Sequence, residues 1–386
     1  MTTKSVLLMV PDNFEFCLGA ATYAHGLNWR LTLKQAEQET LDQLRENPAD
    51  GILAAVRSRD IAEQLAELSC PVVNSSGVLE HSPISRVLPD DVAAGHVAAK
   101  HFLTRNFAHL AYASFANSHY SKNRFKGFRK EIESDNGRHL FVYSAPREGS
   151  LFGVDKAAEQ ARKTLRDFLK SLPRPCGLFC ENDYLALQAV QLCHEVELRV
   201  PEDIAVLGMD NRRLECLLSY PPLSSVVSPR REIGYAAAKL LDQQMRTGKW
   251  KTREIIIPVL HVEERQSTDV LAVEDSSVVK ALREIRTRAL GALSVDEVAT
   301  AAGVSRRSLE QKFKKYFQRS PLQEITRLRL ERAKTLLRQT SLPLTEVAEQ
   351  SGFPSVQWLH TVFARAEGMT PGRYRRKHSL HLIPAS

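Results

Sequence analysis

The amino-acid sequence predicts two structural classes on one chain. The first is an α/β region of helix-covered parallel sheet. The second is a small all-α C-terminal domain with two helix-turn-helix motifs. Three observations carry this expectation. Short apolar runs alternate with amphipathic stretches over the first 270 or so residues. One helix–glycine turn–helix unit occurs twice near the C-terminus. The charge also shifts between the regions: residues 276–386 hold 20 Lys and Arg against 9 Asp and Glu, whereas residues 1–275 hold 33 against 36. A chain of 386 residues is too long for one ordinary domain. A small basic domain after a near-neutral large one points to a polyanionic partner for the small one.

In chain order, strands are predicted at 6–10, 51–56, 71–73, 110–113, 140–143, 177–180 and 204–209, where apolar and β-branched residues cluster. Amphipathic helices are predicted at 61–68, 92–103, 123–132, 157–172 and 184–195. This alternation implies parallel sheet covered by helices, and so many strands imply two sheets. Ligands of such sheets bind beyond the carboxyl ends of the strands. Those ends are polar here: Pro11-Asp12-Asn13, Glu181-Asn182-Asp183 and Asp210-Asn211-Arg212. Carboxylates and amides at these ends can pair with neighbouring hydroxyls, and Phe14 and Phe16 can offer an apolar ring face. A single Asp after a strand is equally a helix cap or turn former. The coincidence of three such ends points to a ligand.

Composition excludes several classes. Cys17, Cys70, Cys176, Cys180, Cys193 and Cys216 are scattered, with no second Cys/His pair at metal spacing. Reduced core thiols in a cytoplasmic protein are the expectation, with no metal and no cofactor. The apolar run at 6–10 is too short for a signal segment, and no 18-residue apolar stretch exists, so no membrane association is expected. There is no Walker lysine loop, nucleophile elbow, zinc-protease motif or glycine-rich dinucleotide fingerprint. The closest histidine pair, His378 and His381, lies in the tail. The chain is therefore expected not to be an enzyme. An enzyme reading would need Asp183 and Asp210 as an acid/base pair, but a binding site uses the same carboxylates.

After a polar stretch at 270–277, a helix is predicted at 278–290. Ser294 to Glu297 has the form of a capping box. The repeated unit then reads EVATAAGVSRRSLEQKFKKYFQRSP (297–321) and EVAEQSGFPSVQWLHTVFARAEGMTP (346–371). Gly303 matches Gly352, Leu309 matches Leu359, Phe313 matches Phe363 and Pro321 matches Pro371. Gly303 permits the tight turn and Ser305 caps the next helix, with Ser355 as its counterpart. Leu309, Phe313 and Phe317 face inward; Arg306, Arg307, Glu310, Gln311 and Lys314 face outward. In the second copy Leu359, Val362 and Phe363 face inward, and Gln357, Trp358, His360, Thr361 and Arg365 outward. Trp358 can instead pack on the spacer helix. Pro343 stands where the first copy has Ser294, so that helix start is less well capped. A spacer helix at 322–338 spans roughly 25 Å, against about 34 Å between successive major-groove faces on one side of B-DNA. Arg and Gln at the start of such helices read guanine and adenine edges. Lys315, Arg319, Arg373, Arg375 and Arg376 suit phosphates.

Two resemblances extend this reading. FCENDYLAL (179–187), RVPEDIAVLGMDN (199–211), PPLSSVVSPRREIGYAAAKLL (221–241) and EERQSTD (263–269) resemble the sugar-sensing core of LacI/GalR-type repressors and periplasmic pentose-binding proteins. The resemblance implies a two-lobed periplasmic-binding-protein-like (type I) sensor whose lobes are joined by three crossings and close on a ligand. It implies a pocket of Asn13, Phe14, Phe16, Arg124, Asn182, Asp183, Asp210 and Ser228. Ser228 falls where pentose binders often carry a longer amide.

GFPSVQWLHTVFARAEGMTPGRYRR (352–376), preceded by RLRLERAKTLL (327–337), resembles the AraC-type DNA-binding domain. That resemblance implies Arg306, Arg307, Glu310 and Gln311 as base readers of the first motif, and Gln357, His360 and Thr361 of the second. Val356 would offer a methyl contact. Ser305, Lys314, Ser355 and Arg375 complete the expected interface. The expected division is a sensor at 1–272, a linker at 273–280 and the double reader at 281–378. A LacI-like sensor before an AraC-type reader is similar to regulators of xylose operons. This implies promoter DNA, D-xylose or a related monosaccharide, RNA polymerase and a second copy of the chain as partners. An alternative keeps the architecture but makes the chain a repressor answering another sugar.

Overall fold

The computed structural model describes residues 3–10, 13–35, 37–116, 118–135, 137–145, 156–248, 250–270 and 275–378. Pro11, Asp12 and His381 lie outside the described residues, as do residues 271–274 of the polar stretch. The chain divides into two compact units, Met1–Ala272 and Val273–Ser386.

The first unit begins with β1 (Lys4–Met9), α1 (Phe14–Ala24), β2 (Trp29–Leu33), α2 (Gln38–Glu46), β3 (Gly51–Ala54), α3 (Arg59–Ala66), β4 (Val72–Asn74) and β5 (Ser85–Pro89). The chain then crosses to a second lobe: α4 (Asp91–Leu103), β6 (His109–Phe115), α5 (His119–Glu133), β7 (His139–Ala145), α6 (Lys156–Ser171), β8 (Cys176–Cys180), α7 (Asp183–Glu195), β9 (Ile204–Met209), α8 (Arg213–Leu218) and β10 (Ser224–Val226). It returns through α9 (Arg230–Thr247) to β11 (Glu254–Ile257), then crosses again to β12 (Val262–Glu263). The two sheets run β11-β5-β4-β3-β1-β2 and β12-β10-β9-β8-β6-β7. This order requires three passages between the lobes, as the two-lobed expectation has it. Among the described residues, pairing is parallel except between β10 and β12.

The central strands β3, β8 and β9 are buried along their whole length. Both faces of a parallel sheet carry helices, so these strands read as unbroken apolar runs. Val6, Leu8, Phe16 and Ile233 fill one face of the first sheet, and Met9, Leu41, Ile52 and Leu65 the other. In the second sheet Tyr112, Phe128 and Phe179 oppose Leu178, Leu185 and Val206 across the strands. All six cysteines are free thiols and all but Cys17 are buried. The sequence reading missed β2, β5 and β10 to β12. β2 is a largely exposed edge strand, and β10 and β12 are three and two residues long, too short for a periodic signal.

Among the described residues, a helix pair in each lobe comes into backbone contact. A Cβ at Gly95 of α4 would stand 2.0 Å from the Arg124 carbonyl oxygen, and one at Gly127 of α5 would stand 1.9 Å from that of Val92. In the first lobe, a Cβ at Gly19 of α1 would lie 1.9 Å from the Arg231 oxygen, and one at Gly234 of α9 2.1 Å from that of Phe16. These contacts fix α5 on α4 and the first turn of α9 on α1.

The second unit consists of α10 (Ser276–Arg288), α11 (Val295–Ala302), α12 (Arg306–Phe317), α13 (Pro321–Gln339), α14 (Leu344–Gln350), α15 (Val356–Glu367) and α16 (Pro371–His378). Asp275 caps α10, so residues 276–280 of the stretch expected as linker are helical. Its carboxyl is lowered to about 2, first by the hydrogen bond from Lys312 and then by that from Ser277. Ser294 and Glu297 form the capping box of α11, and Gly303 ends that helix in the left-handed region at φ 70°. Pro343 starts α14 with no side-chain cap. Gly352 closes the corresponding turn at φ 73°, where a Cβ would meet the Leu290 carbonyl oxygen at 2.6 Å. The second motif is thus seated directly on the end of α10. Among the described residues, no helix is long and apolar enough to cross a membrane.

The glycine contacts give the first prediction. Gly95→Leu should destabilise the protein by at least about 2 kcal/mol, because a branched side chain meets backbone that cannot yield. Thermal unfolding followed by circular dichroism reads this as a lower midpoint. Gly303→Ala, which costs only the left-handed conformation, should lose about 1 kcal/mol.

Candidate functional site

Arg124 organises the cleft of the first unit. It rises from α5 and is buried. Its Nε donates to Asp91 Oδ1 at 2.8 Å, and Nη1 donates to the Glu181 carbonyl oxygen. Nη2 lies 3.7 Å from Asp210 Oδ1, and the guanidinium sits 4.6 Å from the Tyr120 ring centroid. Burial opposes its charge, but Asp91 and Asp210 outweigh burial and raise its pKa. Burial in turn lifts the Asp91 carboxyl to about 6, with Arg124 opposing the rise.

Asp210 follows β9 with φ 106°, and Asn211 has φ 52°. Two consecutive non-glycine residues in this region store strain that the surroundings must hold. The Asp210 N–H donates to the Val226 oxygen at 2.9 Å. The Asn211 N–H donates to Ser225 Oγ at 2.9 Å, and Arg265 Nη2 donates to Asn211 Oδ1 at 2.7 Å. Arg265 also donates through Nη1 to the Leu223 oxygen at 2.8 Å. The turn is therefore braced from below, and it aims the Asp210 carboxylate at Arg124 and Arg230. Arg230 Nη2 stands 2.7 Å from Asp210 Oδ2.

Beside Arg124, the Glu181 carboxylate accepts from the Tyr120 hydroxyl at 2.8 Å and the Ser118 hydroxyl at 3.4 Å. Burial raises the Glu181 pKa, opposed by the Ser121 and Tyr120 hydroxyls and the Arg124 charge. The lobes also meet through main chain here: the N–H groups of His119 and Tyr120 donate to the oxygens of Val78 and Gly77, each at 3.0 Å. Fixed carboxylates beside a planar five-donor guanidinium form a set suited to vicinal hydroxyls.

The expected pocket residues divide. Arg124 and Asp210 come together. Asn13 caps α1, accepting from the Phe16 N–H at 3.2 Å, and Asn182 caps α7, accepting from the Leu185 N–H at 2.9 Å. Phe14 is 75% exposed. Phe16 is fully buried in the first-lobe core, so it packs the sheet and offers no ring face. Asp183 is fully buried too, accepting from the Ser225 hydroxyl and the Arg212 N–H, each at 2.6 Å. A Cβ at position 208 would lie 2.1 Å from its Oδ1, which makes Gly208 part of its seat. Burial first, then the nearby Asp210 charge, lift the Asp183 carboxyl to about 8. Asp183 thus supports the strand ends from beneath. Ser228 is buried in the crossing segment, where its oxygen accepts from the Arg230 N–H at 2.8 Å. The sequence reading did not single out Asp91, Tyr120, Arg230 or Arg265. Arg230 and Arg265 lay inside the quoted motifs, which was the available signal.

In the second unit, Ser305 and Ser355 cap α12 and α15, accepting from the N–H groups of Ser308 and Trp358 at 3.2 Å. Leu309, Phe313 and Phe317 are buried, as are Leu359 and Phe363. This leaves Arg307, Glu310, Gln311 and Lys314 exposed on α12, and Gln357, Trp358 and Thr361 exposed on α15, with His360 half-buried. Arg306 is committed within the motif: Nε is 3.0 Å from Glu310 Oε1 and Nη1 3.0 Å from Asp296 Oδ2. Val356 packs partly against the second-motif core. Arg375 donates to the Leu342 oxygen, tying α16 to the turn after α13, so it stands apart from the exposed set. Trp358, half exposed, does not pack away on the spacer. α13 has 19 residues, a rigid spacer of about 28 Å.

The comparisons agree with this geometry. A periplasmic binding protein-like domain model matches residues 99–268, and a helix-turn-helix domain model matches residues 298–377. The xylose operon regulatory protein of Haemophilus influenzae (strain ATCC 51907 / DSM 11121 / KW20 / Rd) is 31% identical over 341 residues, covering 86% of this chain and 87% of the relative. The chain belongs to the xylose operon regulatory protein family. The Escherichia coli K12 member is 29% identical over 372 residues, covering 94% and 93%. A solved structure described as the xylose-binding transcription activator xylR aligns with TM-score 0.77 and 26% identity, over 98% of this chain and 99% of that one. A LacI family regulator from Enterococcus faecium with bound ribose shares the fold of the first unit, with TM-score 0.55 and 23% identity over 70% of this chain. Members of the family are DNA-binding transcription regulators, with a LacI-like sensor before an AraC-type reader.

Two predictions follow from the geometry. Asp183 keeps its proton in the fold up to about pH 8, whereas an unfolded Asp loses it near 4. The folded state therefore binds more protons between those values, and this group's contribution to stability falls as pH rises from about 4 to about 8. Denaturant titrations should show a shallower decline for Asp183→Asn over that window. On the reader, Arg307→Ala should cost about 1–3 kcal/mol of specific DNA binding. Arg306→Ala should cost less in the same gel-shift assay, because its guanidinium is held by Asp296 and Glu310.

Proposed function

We propose that the chain is a xylose-responsive transcription activator. A pentose, D-xylose, binds in the cleft between the lobes, with Arg124 and Asp210 taking its hydroxyls and Asn13, Phe14 and Asn182 lining the mouth. Asp183, Phe16 and Ser228 support these groups from within the fold. The observation that carries this reading is the meeting of Arg124 with Asp210 at the strand ends, on the same chain as a double helix-turn-helix unit. The relatives' names supply the sugar.

Sugar closes the lobes, and closure changes how the reader units of a homodimer are presented to promoter DNA. Ser305, Arg307, Glu310, Gln311 and Lys314 of the first motif, and Ser355, Gln357, His360 and Thr361 of the second, meet neighbouring major grooves. The bound activator then recruits RNA polymerase. Ligand must favour the DNA-competent arrangement strongly, since equal affinity for two states shifts neither. The sugar is bound and released unchanged in the cytoplasm, without cofactor or metal.

Calorimetric titration with a panel of pentoses and hexoses tests the effector. D-xylose should bind the full chain, and Arg124→Gln should weaken it by about tenfold or more through loss of charged hydrogen bonds. Heat from another sugar and none from D-xylose would overturn the assignment.

A further inference from the structure

The charged groups of the cleft form an alternating line, Asp91–Arg124–Asp210–Arg230, with separations of 2.8, 3.7 and 2.7 Å. The first three belong to the second lobe. Arg230 does not. It opens α9, whose first turn is locked on α1 of the first lobe by the Gly19 and Gly234 contacts. The Asp210–Arg230 ion pair therefore joins the two lobes.

Both ends of this pair are rigid. Asp210 sits on the strained turn held by Ser225, Val226 and Arg265. Arg230 follows the crossing segment directly, and its N–H is bound by the Ser228 oxygen at 2.8 Å. Its Nε is buried with no hydrogen-bond partner, so the side chain is held where it is at some cost in hydrogen bonding. Asp210 is fixed to the second lobe and Arg230 to the first, so a rotation of the lobes about the crossings acts on the ion pair between them.

We propose that Arg230 is a positioning residue that clamps the lobe angle and thereby couples sugar occupancy to closure. The coupling runs through Asp210, which the proposed function also assigns to the sugar, so the inference rests on that reading. An Asp210 carboxylate already aligned by Arg230 meets the sugar without losing further orientational freedom. Closure in turn is favoured by whatever orders Asp210.

The test is double electron–electron resonance on the full chain, with spin labels at Gln43→Cys on α2 and Lys163→Cys on α6, both exposed, in a Cys17→Ser background. Without sugar, Arg230→Gln should move the inter-lobe distances to longer and broader values, and Arg230→Lys should restore part of the change. The melting temperature should stay at the parent value, which separates clamping from a general loss of structure. With D-xylose, the Arg230→Gln affinity should fall about three- to tenfold, in keeping with a partly buried ion pair. Distance distributions identical to the parent, with unchanged sugar affinity, would overturn the proposal. If the parent binds no D-xylose, the effector assignment fails. The clamp is then judged on the sugar-free distances alone, where no shift overturns it.

Discussion

A buried arginine cannot shed its proton, so everything around Arg124 must answer its charge. That constraint organises the cleft. Asp91 supplies one carboxylate from the start of α4, Asp210 supplies another from the end of β9, and the Glu181 carbonyl takes a remaining donor. For Asp91 and Arg124 to meet, α4 and α5 must cross at backbone distance, which Gly95 and Gly127 permit. For Asp210 to reach the guanidinium, two residues must take positive φ, which Ser225 and Arg265 hold in place. The geometry of the cleft and the packing of the second lobe are thus one problem with one solution.

The C-terminal unit solves a different problem. Each reader helix must present a polar face without losing its seat. Leu309 and Phe313 in one copy, and Leu359 and Phe363 in the other, bury enough to free the opposite face. The copies are not equivalent. The first is capped by Ser294 and Glu297, and part of its positive charge is neutralised internally by Asp296 and Glu310. The second starts at an uncapped Pro343 but is braced at Gly352 against Leu290. Packing replaces the missing cap. Its exposed face carries Gln357, Trp358 and Thr361, a mixture of amide, indole and hydroxyl that suits discrimination more than bulk attraction.

The sequence revealed those features that leave local or repeated marks. Strand–helix alternation announced the α/β unit because central parallel strands are continuously apolar. The duplicated glycine turn announced the reader. Ser294, Gly303 and Ser305 were legible because capping and left-handed turns are local chemistry. Burial was less legible. Phe16 and Asp183 stand in the right chain positions for a pocket, yet one turns into the sheet core and the other sits against Gly208 beneath the site. Which side of a strand end a residue faces depends on packing of distant segments. Arg375 is a similar case: a basic tail residue suits phosphate until the fold brings Leu342 within its reach. Asp91 was illegible for the same reason, since its partner Arg124 lies 33 residues away. Arg230 stood inside a quoted motif, but its pairing with Asp210, 20 residues away, is made only by the fold.

In the proposed function, occupancy of the Arg124–Asp210 cleft controls DNA binding by the double reader. The most direct measurement is fluorescence anisotropy of the full chain with duplex DNA selected for tight binding from a random pool, with and without saturating D-xylose. Parent protein should bind that DNA more tightly in the presence of sugar, and Arg124→Gln should bind it equally with and without. An affinity that ignores sugar in the parent, or a sugar response that survives in Arg124→Gln, would contradict the account.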